Sequence, residues 1–203
     1  MIIIRSLIVA FLIIAMSAGA SAQTVNDLQD QIDAGNIELV TARGNGNSSG
    51  AAVEGALTNK TDALLRVNIY LTRPLYLVND GQGQNMVASE VYYGDGDYLS
   101  DGRRPFIELE PSAQTEVRFV AYSINFDRDN PSAAESFSIG NMPDDLNSVM
   151  ASINAFAYAN PSMALTATAQ VAIWLAQGET LEEIQHRFEI TEAEIGLARY
   201  FIQ

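Results

Sequence analysis

Few side chains in this 203-residue chain could do chemistry, and each type allows or excludes a definite reaction. There is no cysteine, which removes thiol nucleophiles, thiolate metal ligands and disulfides together. His186 is the only histidine, so a zinc site would need carboxylates from other elements. It stands among Glu182, Glu183 and Arg187, the pattern of a solvated helix face, and no G-x-S-x-G turn presents a hydrolase nucleophile. The stretch YYGDGDYLSDG sets Asp95, Asp97 and Asp101 at the first, third and seventh places of a calcium-loop pattern. These oxygens could hold calcium, but acidic residues favour turns in any case, and no cofactor is expected. Phe106 stands at the twelfth place, where such a loop needs a bidentate glutamate. Tyr92, Tyr93 and Tyr98 in the same stretch offer rings for a sugar to stack on, or simply pack the surface beside a turn. Asp127, Asp129 and Asn130 form a second, sparser acidic loop.

Two uncharged polar residues stand out by position. In FVAYSINFDRDNP, residues 119–131, Ser123 ends an alternating run and precedes an acidic loop stopped by Pro131. Alternation puts Val117, Phe119, Ala121 and Ser123 on one face, with Glu116, Arg118, Val120, Tyr122 and Ile124 opposite. The first set reads as the core face, so the Ser123 hydroxyl needs a buried partner. In TATAQVAIWL, Gln170 and Trp174 lie one helical turn apart and share a face.

The elements that must position these residues fall into two parts, divided near Gly140. Before it, seven short segments read as strands: 37–41, 52–57, 64–71, 75–78, 85–89, 106–109 and 115–124. Their spacing, with turn residues between, predicts an antiparallel β-sandwich over residues 23–140. After it, residues 141–203 form a helical subdomain packed on the sandwich. Its first helix is expected over 144–158, with Pro143 and two aspartates at its start, and its second over 164–177, ending at Gly178. Thr180 with Glu183 and Thr191 with Glu194 are capping boxes that start two short helices. The fold class is therefore β-rich: about seven strands followed by about four helices.

With a cysteine in place of Ser123, the two blocks resemble the signature blocks of the thioester domains found at the tips of bacterial surface adhesins. In that family a Tyr-Cys pair followed by an apolar residue supplies the thiol. A later glutamine, just ahead of an apolar run containing tryptophan, supplies the acyl group. The matching residues are Tyr122, Ser123 and Ile124, then Gln170 followed by Val171, Ala172, Ile173 and Trp174. The resemblance is confined to residues 117–176, and it implies a β-rich body with a helical part and a role in binding at a cell surface. The missing cysteine decides the chemistry, because an alkoxide leaves far less readily than a thiolate. Three readings of Ser123 stay open: a buried serine bonded to Gln170 or to backbone, a replaced cysteine, or one end of a real intramolecular ester.

Address and partners follow from composition. MIIIRSLIVAFLIIAMSAGASA has the charged start, apolar middle and A-x-A end of a secretory signal peptide, with cleavage expected after Ala22. No second run is apolar and long enough to span a membrane. The formal charge is -14, and loss of Arg5 with the leader makes it -15. Such a surface repels phosphate backbones, so the helix-turn-helix-like pattern of residues 178–201 does not imply nucleic acid. The expectation is a secreted, periplasmic or surface-displayed binding module, without enzymatic activity, for a protein or glycan ligand. The alternatives are a cell-envelope hydrolase, which would need a paired acid and base in a cleft, and an assembly subunit that adds a strand to a neighbour.

Overall fold

The computed structural model describes residues 24–94, 105–161 and 163–203. The expected leader, Tyr98 and the calcium candidates Asp95, Asp97 and Asp101 lie outside them. In chain order the elements are β1 (Val25–Asn26), α1 (Leu28–Asp33), β2 (Ile37–Gly44), β3 (Ser49–Asn59), β4 (Leu65–Asn68), β5 (Tyr70–Asn79), β6 (Met86–Tyr93), β7 (Phe106–Leu109), β8 (Gln114–Ser123) and β9 (Phe137–Gly140), then α2 (Asp144–Ala159), α3 (Thr166–Ala176), α4 (Leu181–Arg187) and α5 (Glu192–Phe201). The class is β-rich with C-terminal helices, as the sequence predicts. The strands number nine among the described residues, in a six-stranded sheet ordered β2-β3-β8-β6-β5-β9 and a three-stranded sheet ordered β1-β4-β7. The predicted segments 64–71 and 75–78 are divided differently: the chain leaves the small sheet and enters the large one at Ile69.

The large sheet is antiparallel throughout and curls until its edge strands meet. Arg43 at the end of β2 bridges Ser136, just ahead of β9. There Gly44 lies so close to Pro131 that a Cβ would meet its carbonyl oxygen at 2.4 Å, so no larger residue fits. Elsewhere α1 packs against both β2 and β5. This short helix buries Leu28 in the first core and is tied down by polar contacts as well. Asp27 caps its N-terminus and also accepts from Thr72 and the Arg73 backbone, while the Arg73 guanidinium bonds Asp30 and Asp33.

Two apolar cores result. The first lies inside the curled sheet and is closed by the small sheet and Leu28; it holds Val117, Phe119 and Ala121 of β8 with Leu57, Leu71, Val91 and Ile107. The second lies between the outer face of the large sheet and the helices. It holds Val120, Tyr122 and Ile124 with Leu146, Met150, Ile153, Trp174 and Phe201. The expected single core face of β8 is thus half of the arrangement: from Val120 onward the other face is buried as well. Helix α3 is the keystone of the second core, because every residue from Thr168 to Trp174 is buried. A helix apolar nearly all round must be enclosed. It ends at Gly178, which takes the left-handed conformation (φ 98°) that a C-terminal cap requires. Both expected capping boxes form, at the starts of α4 and α5. Among the described residues, no helix is long and apolar enough to cross a membrane.

Candidate functional site

Ser123 is the last residue of β8, and its neighbours are set by where β3 begins. Its backbone N–H donates to Ser48 O at 2.9 Å, completing half of an antiparallel pair. The return bond, from the Ser48 N–H to Ser123 O, is not made. The side chain of Gln170 supplies it: Nε2 donates to Ser123 O at 2.8 Å, and Oε1 accepts from the Ser123 N–H at 3.0 Å. A carboxamide carries a donor and an acceptor in the geometry of a peptide group, so it extends the ladder where the strand has stopped. Both residues are fully buried. The expected bond between the Ser123 hydroxyl and the Gln170 amide is absent. The amide pairs with the backbone instead, and Oγ is buried with no hydrogen-bond partner. The carboxamide carbon of Gln170, bonded to both pairing atoms, lies against the same residue that carries this free hydroxyl.

The surrounding loops are fixed by a dense set of amide bonds. The N–H of Ile124 donates to Asn85 O, Asn85 N–H donates to Asn125 Oδ1, and Asn79 N–H donates to Asn85 Oδ1. Gln84 donates from its backbone to Asp129 O and from Nε2 to Arg128 O. On the hairpin side, Gly46 N–H donates to Pro131 O and Asn130 Nδ2 donates to Gly46 O. Each of these groups would be costly if buried unpaired, so the network locks the loop after Ser123 to the β2–β3 and β5–β6 turns.

Trp174, one turn beyond Gln170, is 1% exposed and is the largest fully buried side chain. Phe126 meets it edge-on at 5.0 Å between ring centroids and Phe188 at 6.1 Å. Arg187 stacks over Phe126 and donates to Arg128 O at 2.8 Å, tying α4 to the loop. The indole Nε1 has no partner. Tyr122 turns away from Ser123 into the second core; burial first, and then the charge of Glu90, push its hydroxyl above the ordinary tyrosine range. Glu90 sits just after a bulge in β6, opposite Tyr70, and accepts a hydrogen bond from the Tyr92 hydroxyl. Burial raises its carboxyl above the ordinary range, and that hydrogen bond opposes the rise.

The structure therefore sets the Gln170 carboxamide on the Ser123 backbone, with Trp174 one helical turn on in the second core, and Tyr122 points into that same core. His186 is exposed on α4, the solvated position expected for it. Among the described residues there is no group of three or more histidines, aspartates and glutamates disposed to hold a metal ion. The parts that sequence reasoning missed are Ser48, the amides Asn85, Asn125 and Gln84, and the carboxylate Glu90. The runs NDGQGQN and INFDRDN carry an unusual density of amides, a signal that two facing loops share hydrogen bonds. No protein-family model, no curated protein and no solved structure matches the chain.

Proposed function

We propose that this protein is an exported surface or periplasmic binding module built like a thioester domain, with serine where the reactive cysteine would stand. The observation that carries the reading is the clamp of the Gln170 carboxamide on the Ser123 backbone, inside a buried seam between sheet and helix. A thioester arises when a cysteine thiol attacks a glutamine side-chain amide: a carbon–sulfur bond forms, and ammonia leaves with the thiol proton. That reaction needs a nucleophile held against a carboxamide in a site closed to water; the buried Gln170 carboxamide clamped on the backbone of residue 123 supports that reading. With serine the acyl group would be bound as an oxygen ester, which is slow to acylate amines, so the module binds its partner without covalent capture. Its partner is a protein or a glycan met outside the cytoplasm.

The test is Ser123→Cys, followed by intact-mass measurement of the purified protein. The expected result is a loss of mass equal to one ammonia; methylamine then adds across the thioester, freeing the thiol and leaving a methylamide. Wild-type protein should keep its full mass and ignore methylamine. A Ser123→Cys protein that folds with wild-type stability, keeps its full mass and has a freely titrating thiol would overturn the reading.

A further inference from the structure

The helices cover only one end of the large sheet's outer face. At the other end the alternation that buries Val120 and Tyr122 brings Glu116 and Arg118 of β8 to the surface. The register sets two rows across three strands. One is Arg43, Glu54 and Arg118; the other is Thr41, Ala56 and Glu116. These residues line a groove of about 550 Å³, bounded on the β9 side by Ala133. That volume is within the range of sites for small organic ligands.

Charge singles the groove out. The chain has 25 acidic residues against 11 basic ones, yet here two arginines stand against two glutamates. Arg43 makes no ion pair among the described residues. Arg118 approaches Glu54 at 3.8 Å from Nε, beyond hydrogen-bond distance, so the pair is loose. A guanidinium fork is the side chain best shaped to take a carboxylate. Among the described residues no aromatic side chain lines the groove, and its apolar lining there is Ala56, Val117 and Ala133. It lacks the large anchors that hold a protein partner. Thr41, Gln114 and Glu116 instead offer hydrogen-bonding groups suited to hydroxyls.

We propose that this groove binds an oligosaccharide bearing uronic acid carboxylates. Arg43 and Arg118, two strand spacings (~10 Å) apart, each hold one carboxylate. Thr41, Gln114 and Glu116 bond the sugar hydroxyls. The inference names a ligand class for the surface module proposed above and rests on that reading only for where such a polymer is met. It makes no use of Ser123.

Calorimetric titration of the mature protein with trigalacturonate and triguluronate, and with maltotriose as the uncharged control, tests it. At least one uronate should bind, maltotriose about tenfold more weakly or not at all, and added salt should weaken the uronate. Arg43→Gln and Arg118→Gln should each cost about tenfold in affinity, the scale of one charge-assisted contact, with unchanged melting midpoints. The proposal is overturned if neither uronate binds at millimolar concentration, or if both variants bind like wild type. Tighter binding of a hexaglutamate peptide would overturn it too, by assigning the groove to acidic protein segments. Uronate binding together with a Ser123→Cys protein that keeps its ammonia would retain the groove and discard the thioester-like reading. The opposite pair of results would do the reverse.

Discussion

Gln170 hydrogen-bonds both the N–H and the C=O of Ser123, while the Ser123 hydroxyl, buried beside it, bonds to nothing. A side chain thus does the work of backbone, and the group expected to do the bonding is idle. Removing the amide should be expensive, because Ser123 O would lose its donor in a dry site. Gln170→Ala is expected to lower unfolding free energy by about 2–4 kcal/mol, read by urea denaturation. Gln170→Glu should fold better at about pH 4 than at about pH 7, because only the protonated acid can donate to Ser123 O. Its buried carboxyl has a raised pKa in the folded state, so stability falls as pH rises. Equal stability at both pH values would show that the carboxamide does not sit against this carbonyl.

Ser123→Ala should leave the melting midpoint unchanged or raise it, a gain of up to about 1 kcal/mol. An unpartnered buried hydroxyl costs free energy that a methyl group does not. A loss of more than about 1 kcal/mol in this variant would mean that the hydroxyl has a partner in solution.

Trp174 fastens the helical layer to the sheet and to Phe126. Trp174→Ala should cost about 3–5 kcal/mol. Trp174→Phe should cost clearly less, since the indole N–H makes no hydrogen bond that phenylalanine would forfeit. Chemical denaturation of the two variants side by side checks the order.

Signals confined to a few residues were legible in the sequence. Thr180 with Glu183 and Thr191 with Glu194 cap their helices as their three-residue spacing predicts. The β-rich body and the helical remainder followed from the change in period near Gly140. The juxtaposition of Ser123 with Gln170 came from the resemblance of two short blocks, because periodicity cannot say which strand a helix crosses. Which atoms of Ser123 would pair was not readable at all. That depends on β3 giving out at Ser49, with Ser48 left to make only one of its two bonds. Burial of the second face of β8 does not follow from alternation, because Glu116 and Arg118 open that face and the helices cover only the residues beyond. Helix α1 and β9 escaped because LQDQID and FSIG are too short to show a period, and α1 depends on Asp27 and Arg73.

Glu90 should make stability depend on pH in a direction opposite to Asp33, Asp80, Glu135, Glu183 and Glu194. Burial raises its folded-state pKa, so its contribution is complete below the ordinary carboxyl value of about 4.3 and is lost as pH rises through the folded value. Hydrogen bonds hold Asp33, Asp80, Glu135, Glu183 and Glu194 below the ordinary range, but these occur in wild type and variant alike and cancel in the difference. Glu90→Gln is expected to gain stability over wild type progressively as pH rises above the ordinary carboxyl value. A difference between the two melting midpoints that stays constant with pH would contradict the assignment.

The pairing of β3 with β8 has a consequence for how the chain reaches its folded state. These central strands are far apart in sequence, so the sheet cannot be completed until the loop between them closes. Non-local strand pairing of this kind is slow, on the order of milliseconds to seconds. The helical segments emerge after the strands, and α3, apolar from Ala169 to Trp174 except for Gln170, has nothing to dock on until β8 is seated. In that interval the stretch is a sticky, unpartnered segment, and no disulfide can trap an early intermediate. The Gln170 clamp, which requires β3, β8 and α3 together, is then one of the last contacts to form.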